Sequence, residues 1–220
     1  ASVDKTYEAA VIFTMGDVKV DKEADGNWVP AEIGEKLKTG AIIKTGADGI
    51  AEIVFDAEGL NIVRINENTQ ITVEKSMIDL YDGKLYVSFE NLAPGSEFKV
   101  KTPVAICGIE GSDFMAEFLR ALGFFDVDAV SDEVWAQGLD ERGRSTGPMT
   151  VLPQGWGVRV KKGGKVGKPA VTSQDRKRDF DAWKRVLEEE RIIRERRIVE
   201  KPGEPERREG DQTEGSPFLQ

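Results

Sequence analysis

The carboxylates of residues 21–32 have the spacing of a cation-binding loop. They stand at positions 1, 3, 5 and 12 of an EF-hand-like pattern: Asp21, Glu23, Asp25 and Glu32. Gly26 occupies the turn position, but Pro30 interrupts the second half and no helical pattern flanks the loop. We interpret residues 24–27 as a hairpin turn and predict no metal ligand, with calcium binding at this loop left open. A second acidic group lacks the glycine and is a weaker candidate: Asp126, Asp128, Asp132 and Glu133.

Side chains for catalysis are scarce. The chain has no histidine, which removes the commonest general base and metal ligand, and its one cysteine is Cys107. Strand-like alternation places Cys107 on the same face as Ala105 and Ile109, which predicts a buried thiol that packs as a small apolar group. A single cysteine excludes an internal disulfide. We therefore predict no catalytic residue, no cofactor and no enzymatic activity.

Short apolar runs with period-two alternation, separated by Gly, Asn and Asp turns, dominate the first 172 residues. The candidate strands are 7–15, 18–21, 51–55, 62–65, 69–74, 84–89 and 98–101. Their spacing of about 8–12 residues predicts a mainly β fold, an antiparallel β-sandwich or compact β-solenoid. Residues 115–125 fit both a strand and a helix. We predict a strand through Phe118, followed by a short loop or helical turn that ends near Gly123.

Several motifs between residues 10 and 118 share the order and residue types of one known family. They are Gly16-Asp17-Val18-Lys19-Val20 with Trp28, the Gly- and Thr-rich stretch 34–69, the strand–glycine–strand unit 78–86, the segment 98–105, and Glu110-Gly111-Ser112-Asp113-Phe114. Together they resemble the FecR domain, a β-rich extracytoplasmic module known from regulators that sense iron–siderophore transport. The family signature has Arg-Gly-Thr, an acid and an aromatic. Glu110 replaces that arginine, so the arginine's role does not carry over.

The resemblance implies a structural role for nine motif residues: Gly40, Thr45, Gly46, Asn68, Thr69, Gly83, Gly111, Ser112 and Phe114. It also implies a non-catalytic protein-interaction module. We predict a FecR-like β domain over residues 1–172, with the core of the resemblance at 10–118. Closing hairpins are predicted over 127–171, including a strand, a Pro-Gln-Gly turn and a second strand at 149–160.

A charged amphipathic helix is predicted over residues 173–200. Ser173 offers an N-cap, and an apolar stripe at helical spacing is predicted to pack on the β domain: Phe180, Trp183 and Leu187. Residues 201–220 are polar, which predicts a tail that is flexible or ordered by a partner. The candidate partner contacts are Ile192, Ile193, Ile198, Phe218 and Leu219.

Charge and hydropathy restrict the partner and the compartment. The net charge of −9 argues against nucleic acid, and no apolar run is long enough for a membrane span. The chain begins at Ala1 without methionine, as a mature chain does after signal-peptide cleavage. We expect a periplasmic or extracellular location and a protein partner, either another protein or a second copy of the chain.

Three hypotheses of function follow. The first is a protein-interaction module, with a β platform and a helix or tail that contacts a partner. The second is a structural protein that assembles into a filament or envelope layer, with residues 7–15 as an edge strand that pairs between subunits. The third is a glycan- or peptidoglycan-binding module that uses exposed tryptophans, the candidates being Trp28, Trp135 and Trp156.

Overall fold

The computed structural model describes residues 8–90 and 92–200, with side chains in the final helix described as far as Ile192. The chain divides into two compact units, Ala1–Phe180 and Asp181–Gln220. Within the described residues, the first unit holds every strand, and helix α1, Gln174–Glu200, begins in the first unit and continues into the second.

The first unit consists of short strands separated by tight turns, as the period-two alternation predicts. In chain order the strands are β1 Ala9–Met15, β2 Val18–Asp21, β3 Val29–Pro30, β4 Lys36–Leu37, β5 Ile42–Thr45, β6 Ile50–Val54, β7 Asn61–Ile65, β8 Gln70–Glu74, β9 Met77–Phe89, β10 Phe98–Lys101, β11 Ala105–Ile109, β12 Asp113–Leu119, β13 Phe124–Ala129, β14 Val134–Leu139, β15 Ser145–Leu152, β16 Trp156–Lys161, β17 Lys165–Val166 and β18 Ala170–Val171. The prediction of a mainly β fold with a C-terminal helix is confirmed.

Strand pairing arranges the strands in two rows of hydrogen-bonded neighbours, which we call runs. The two runs share β9. The first run has the order β4-β1-β6-β7-β9-β12-β13-β16, with β17 and β18 both on β16. The second run has the order β3-β2-β5-β8-β9-β10-β11-β14-β15. All of these pairs are antiparallel except β9–β10, which is parallel, so the sheet is mixed. Residues of both runs contribute to one buried apolar cluster, for example Ile53 and Leu85 from the first and Ile71 and Val100 from the second.

Strand β9 joins the two runs by bending at Gly83. Its first half pairs with β8 and β10, and its second half pairs with β7 and β12. Gly83 has a φ of +103°, a conformation that side chains disfavour. A Cβ at this position would lie 2.2 Å from the Thr69 hydroxyl oxygen. Glycine is required here both for the backbone conformation and for the close approach of Thr69.

Three structural details refine the sequence predictions. Strand β1 is not a free edge along its first half, because Ala10 is paired with both Lys36 and Val54. The unit 149–160 is a strand, a turn and a strand, but β15 pairs with β14 whereas β16 pairs with β13. The Pro-Gln-Gly turn therefore carries the chain from one run to the other and does not close a hairpin. The ambiguous segment 115–125 holds the end of β12, a turn with Gly123, and the start of β13.

We expect Gly83→Ala to lower the free energy of unfolding by about 2–5 kcal/mol, because it adds backbone strain and a steric overlap. Gly95→Ala is the matched control, since Gly95 also has a positive φ, of +78°, but would place its Cβ in open space. Urea denaturation of the three proteins measures the difference. Equal losses for the two variants would contradict the role of the Thr69 contact.

Asp79 on β9 generates a pH prediction. Its Oδ1 is buried without a hydrogen-bond partner, and burial raises the pKa of the carboxyl above its usual 3.8, partly offset by the charge of Lys101. A carboxyl whose pKa is raised in the folded state stabilises that state below its ordinary pKa of about 3.8. This stabilisation is lost as the pH rises through the raised pKa. We expect Asp79→Asn to raise Tm at pH 7 by at most about 2–4 °C, because partial exposure screens the charge. The gain should shrink near pH 3.5. A gain that grows on acidification would contradict the assignment.

Candidate interaction site

The acidic loop 21–32 is a hairpin turn between β2 and β3. The buried carboxylate of Asp21 accepts hydrogen bonds from the backbone N–H groups of Asp25 and Gly26, at 3.2 and 2.8 Å. Lys22 forms an ion pair with Glu35. The hydrogen bond between these two side chains raises the pKa of the Lys22 ammonium. Within the described residues, no group of three His, Cys, Asp or Glu side chains is arranged to hold a metal ion. The oxygens of Asp21 are engaged in shaping the turn.

The glycine- and threonine-rich motif residues meet in a buried polar network around Thr45 and Thr69. The Thr45 hydroxyl donates to the carbonyl of Asn66 at 2.6 Å and accepts from the N–H of Thr69 at 2.9 Å. The Thr69 hydroxyl accepts from the N–H of Lys84 at 2.9 Å, directly after the bend at Gly83. Both threonines are only 1% exposed. This network links β5, the turn 66–69 and β9, so these residues hold the scaffold together.

The other motif residues also lie inside the scaffold. The hydroxyl of Ser112 donates to the carbonyl of Ser131, whose own hydroxyl accepts from the N–H of Asp113 at 2.9 Å. Phe114 is fully buried. Three glycines complete the set. Gly40 and Gly111 have a positive φ; the N–H of Gly40 donates to the carbonyl of Val73, and Gly111 precedes the Ser112 contact. The N–H of Gly46 donates to the carbonyl of Asp17, and its own carbonyl accepts from the N–H of Asn68. A functional surface must therefore be sought elsewhere on the molecule.

A polar cleft of about 320 Å³ opens where β13, β16 and the first turn of α1 meet; we call it the Arg176 cleft. Its floor is formed by the carboxylates of Asp126 and Asp128, which are 7% and 6% exposed. The two aspartates point to the same side because they alternate along β13. Buried carboxylates require charged or hydrogen-bonding partners, and this cleft supplies several.

Two arginines neutralise the floor of the cleft. Arg159 on β16 donates hydrogen bonds to both carboxylate oxygens of Asp126, at 2.7 and 2.8 Å. These hydrogen bonds raise the pKa of the Arg159 guanidinium. Arg176 on α1 lies 2.7 Å from the Asp128 carboxylate and 3.2 Å from that of Asp126. The hydroxyl of Thr172 donates to Asp128 at 2.8 Å. The guanidinium groups are thus held in place before any partner arrives.

One strongly exposed apolar residue lines the Arg176 cleft. It is Val171 on β18, which is 69% exposed. Its cross-strand neighbour on β16, Trp156, is 39% exposed and is not one of the residues that line the cleft. Arg159 lies over the ring of Phe124, with 3.8 Å between the guanidinium carbon and the ring centroid. Partly exposed arginine side chains on a rigid support are typical of protein-interaction surfaces.

The other two candidate tryptophans lie on different strands or turns. The ring of Trp135 on β14 packs on Gly108, where a Cβ would lie only 2.5 Å from the ring. Trp28 is 37% exposed and lines a separate groove of about 270 Å³, which we call the Trp28 groove. Among the pockets described, no single one is lined by more than one of these tryptophans.

The predicted partner contacts of the C-terminal region are only partly within the described residues. Phe180 is buried, with its ring centroid 5.3 Å from that of Tyr86. Trp183 is also buried, and Ile192 is 47% exposed. Ile193 and Ile198 belong to α1, but their side chains lie outside the described set, as do Phe218 and Leu219 entirely. In the part of the chain that the structure describes, no helix has the length and apolar character needed to cross a membrane.

Sequence reasoning missed the Arg176 cleft. The signal for it was the alternation of Asp126 and Asp128 within an apolar strand. Two negative charges on one buried face of a strand require cationic partners. The sequence does not show which residues these partners are, because they lie on β16 and α1, which are distant from β13 in the chain.

We expect Arg176→Ala to lower the free energy of unfolding by about 1–3 kcal/mol, because two buried carboxylates lose a donor and partial exposure moderates the cost. Arg176→Lys should recover part of the loss, since lysine keeps the charge but not the planar fork. The control is Arg178→Ala, whose ion pair with Asp175 is exposed on the helix surface and should contribute nothing measurable. Equal effects of the two alanine variants on urea denaturation would contradict the anchoring role.

Comparison with known proteins supports the relationship that the motifs suggest. The model of the FecR protein family matches residues 41–122, the segment that runs from the start of β5 to the turn after β12. No curated protein matches the chain by sequence. Two crystal structures of a proposed anti-sigma factor from Parabacteroides distasonis share 14% sequence identity with the chain, with a TM-score of 0.48. The match covers 60% of this chain and 60% of theirs, less than two thirds of their length.

The matched segment contains the network of Thr45, Asn66 and Thr69, the bend at Gly83, and the Ser112 contact that follows β11. The Arg176 cleft draws most of its residues from outside the segment, since β13, β16 and α1 all follow residue 122. The FecR family model matches residues 41–122, the segment that contains most of the motifs on which the resemblance was based.

Proposed function

We propose that this chain is a non-catalytic, extracytoplasmic protein-interaction module of the FecR type and that its partner binds at the Arg176 cleft. The FecR match supports the class of function. Four motif residues of that segment are buried, namely Thr45, Thr69, Ser112 and Phe114, and Thr45 and Thr69 are joined by a hydrogen bond, which supports a scaffolding role for the segment. The partner-binding role then falls to surface residues that the scaffold holds in fixed positions.

One observation carries the choice of surface: Val171, which is 69% exposed, lines a cleft whose arginines are already immobilised. Binding requires little loss of side-chain freedom where the arginine is held bidentately and stacked on an aromatic ring, as Arg159 is. Arginine is one of the residue types that most often dominate binding energy at protein interfaces. Lys168 also lines the cleft, which adds a cation to its wall.

The acids of the floor are each matched by an arginine or a hydroxyl, so the cleft has no uncompensated carboxylate to attract a cation. Its remaining binding capacity is apolar surface at the rim and the outward N–H groups of the guanidiniums. The side chains of Arg159 and Arg176 are 49% and 31% exposed. We infer a partner surface with an apolar side chain flanked by hydrogen-bond acceptors.

Site-specific photocrosslinking tests the proposal. A benzophenone amino acid at position 171 should form an adduct with a partner protein in cells of the source organism. Position 122 is the matched control, because Leu122 is 68% exposed and Val171 is 69% exposed. We expect about fivefold or more adduct at position 171 than at position 122.

Two outcomes would contradict the proposal. Equal labelling at positions 171 and 122 would indicate non-specific exposure. An adduct with twice the mass of the chain would indicate self-assembly, the alternative that we set aside.

A further inference from the structure

We propose that the Trp28 groove binds an acidic peptide segment of a partner protein, with an apolar side chain against the indole and carboxylates on Lys19 and Lys44. The inference concerns a surface distinct from the Arg176 cleft and does not depend on the partner proposed there. The two sites share no lining residue.

The groove lies on the outer side of the first hairpin and its neighbouring strand. Its lining consists of Asp17, Lys19, Trp28, Lys44, Thr45 and Gly46. Thr45 belongs to the buried network, and the N–H of Gly46 donates to the carbonyl of Asp17 at 2.7 Å. The floor of the groove is therefore rigid before a ligand binds, which limits the entropy cost of binding.

The charges of the groove are not balanced within the described residues. Lys19 on β2 lies directly opposite Lys44 on β5, and like charges in directly opposed positions are unfavourable. The other cross-strand neighbour of Lys44 is Gln70, which carries no charge. Lys44 makes no ion pair in the part of the chain that the structure describes.

Asp17 compensates only one of the two lysines. Its carboxylate lies 3.3 Å from the Lys19 ammonium, and both side chains are about half exposed, at 54% and 49%. Such an exposed pair is weak. The lining carries two lysines and one aspartate, a net charge of +1 on a chain whose net charge is −9. A carboxylate from another molecule would relieve the repulsion between the lysines and pair with Lys44.

The shape of the groove favours a peptide. Its volume, about 270 Å³, lies below the range of about 300–1,000 Å³ typical of small-molecule sites, so it has room for only a few side-chain groups. The exposed face of Trp28 suits an apolar side chain next to the carboxylates. In the described residues β3 pairs with β2 alone, so the second run ends at β3, directly after Trp28.

Titration of the full chain with two capped pentapeptides tests the proposal. The probe is EELEE, and its neutral counterpart is QQLQQ. The chain has four tryptophans, so nuclear magnetic resonance should show four indole N–H signals, and Trp28→Phe identifies the one from Trp28. We expect EELEE to shift that signal selectively and saturably, with a Kd of about 0.1–1 mM at low salt, and to bind more weakly as salt is added.

Charge variants make the test specific. Lys44→Glu should weaken EELEE binding about tenfold while leaving the other three indole signals in place, which confirms folding. Lys162→Glu is the matched control, because the Lys162 side chain is 77% exposed and does not line the groove. This variant should leave the affinity unchanged.

Several results would overturn the proposal. These are no saturable shift at about 5 mM EELEE, equal binding of QQLQQ, or equal weakening by the Lys44 and Lys162 variants. Shifts of the Trp28 signal that depend on protein concentration without peptide would assign the groove to a second copy of the chain. Binding of a sulfated disaccharide in the groove when EELEE does not bind would assign it to an anionic glycan.

Discussion

The close approach of Gly83 to Thr69 is the constraint on which this fold depends. Strand β9 belongs to both runs of the sheet, and it passes from one to the other where glycine permits a φ of +103°. The Thr69 hydroxyl occupies the space that a side chain at position 83 would need. It also accepts a hydrogen bond from the N–H of Lys84. Because Thr69 in turn donates its own N–H to Thr45, the bend is tied to β5. A side chain at position 83 would disturb the bend and the network together.

This arrangement separates scaffold from surface. The buried hydroxyl residues of the motifs, Thr45, Thr69 and Ser112, make hydrogen bonds inside the scaffold, so substitutions there should act mainly on stability. The Arg176 cleft is built differently: its acids come from β13, its arginines come from β16 and α1, and its exposed valine comes from β18. The interactions that neutralise Asp126 and Asp128 also hold the arginines in position. The same ion pairs therefore stabilise the first unit and preorganise the surface proposed for the partner.

Much of the fold was predictable because its signals are local. Period-two alternation and turn residues predicted the same bounds for β2 and β10 as the structure has. The glycine at position 83 was predicted as part of a strand–glycine–strand unit. The pairing after residue 127 was less predictable. The Pro-Gln-Gly turn looks like the end of a hairpin, yet β15 and β16 pair with different strands, because pairing depends on which partner buries each apolar face. The parallel contact of β9 with β10 likewise has no local signal.

The sequence by itself determined the fold class of the protein: a β-rich chain without histidine, with one cysteine that alternation places inside a strand, and with motifs that resemble those of the FecR family. These features depend on residue type and short spacing, which folding does not change. Only the tertiary structure decided which charged residues meet, and therefore which surfaces we propose for a partner. Arg176 lies 50 residues from Asp126 in the chain, and Lys44 is 25 residues from Lys19 by number. The electrostatic interaction between such residues depends on the distance between them in the folded protein, and that distance is set by strand order and register.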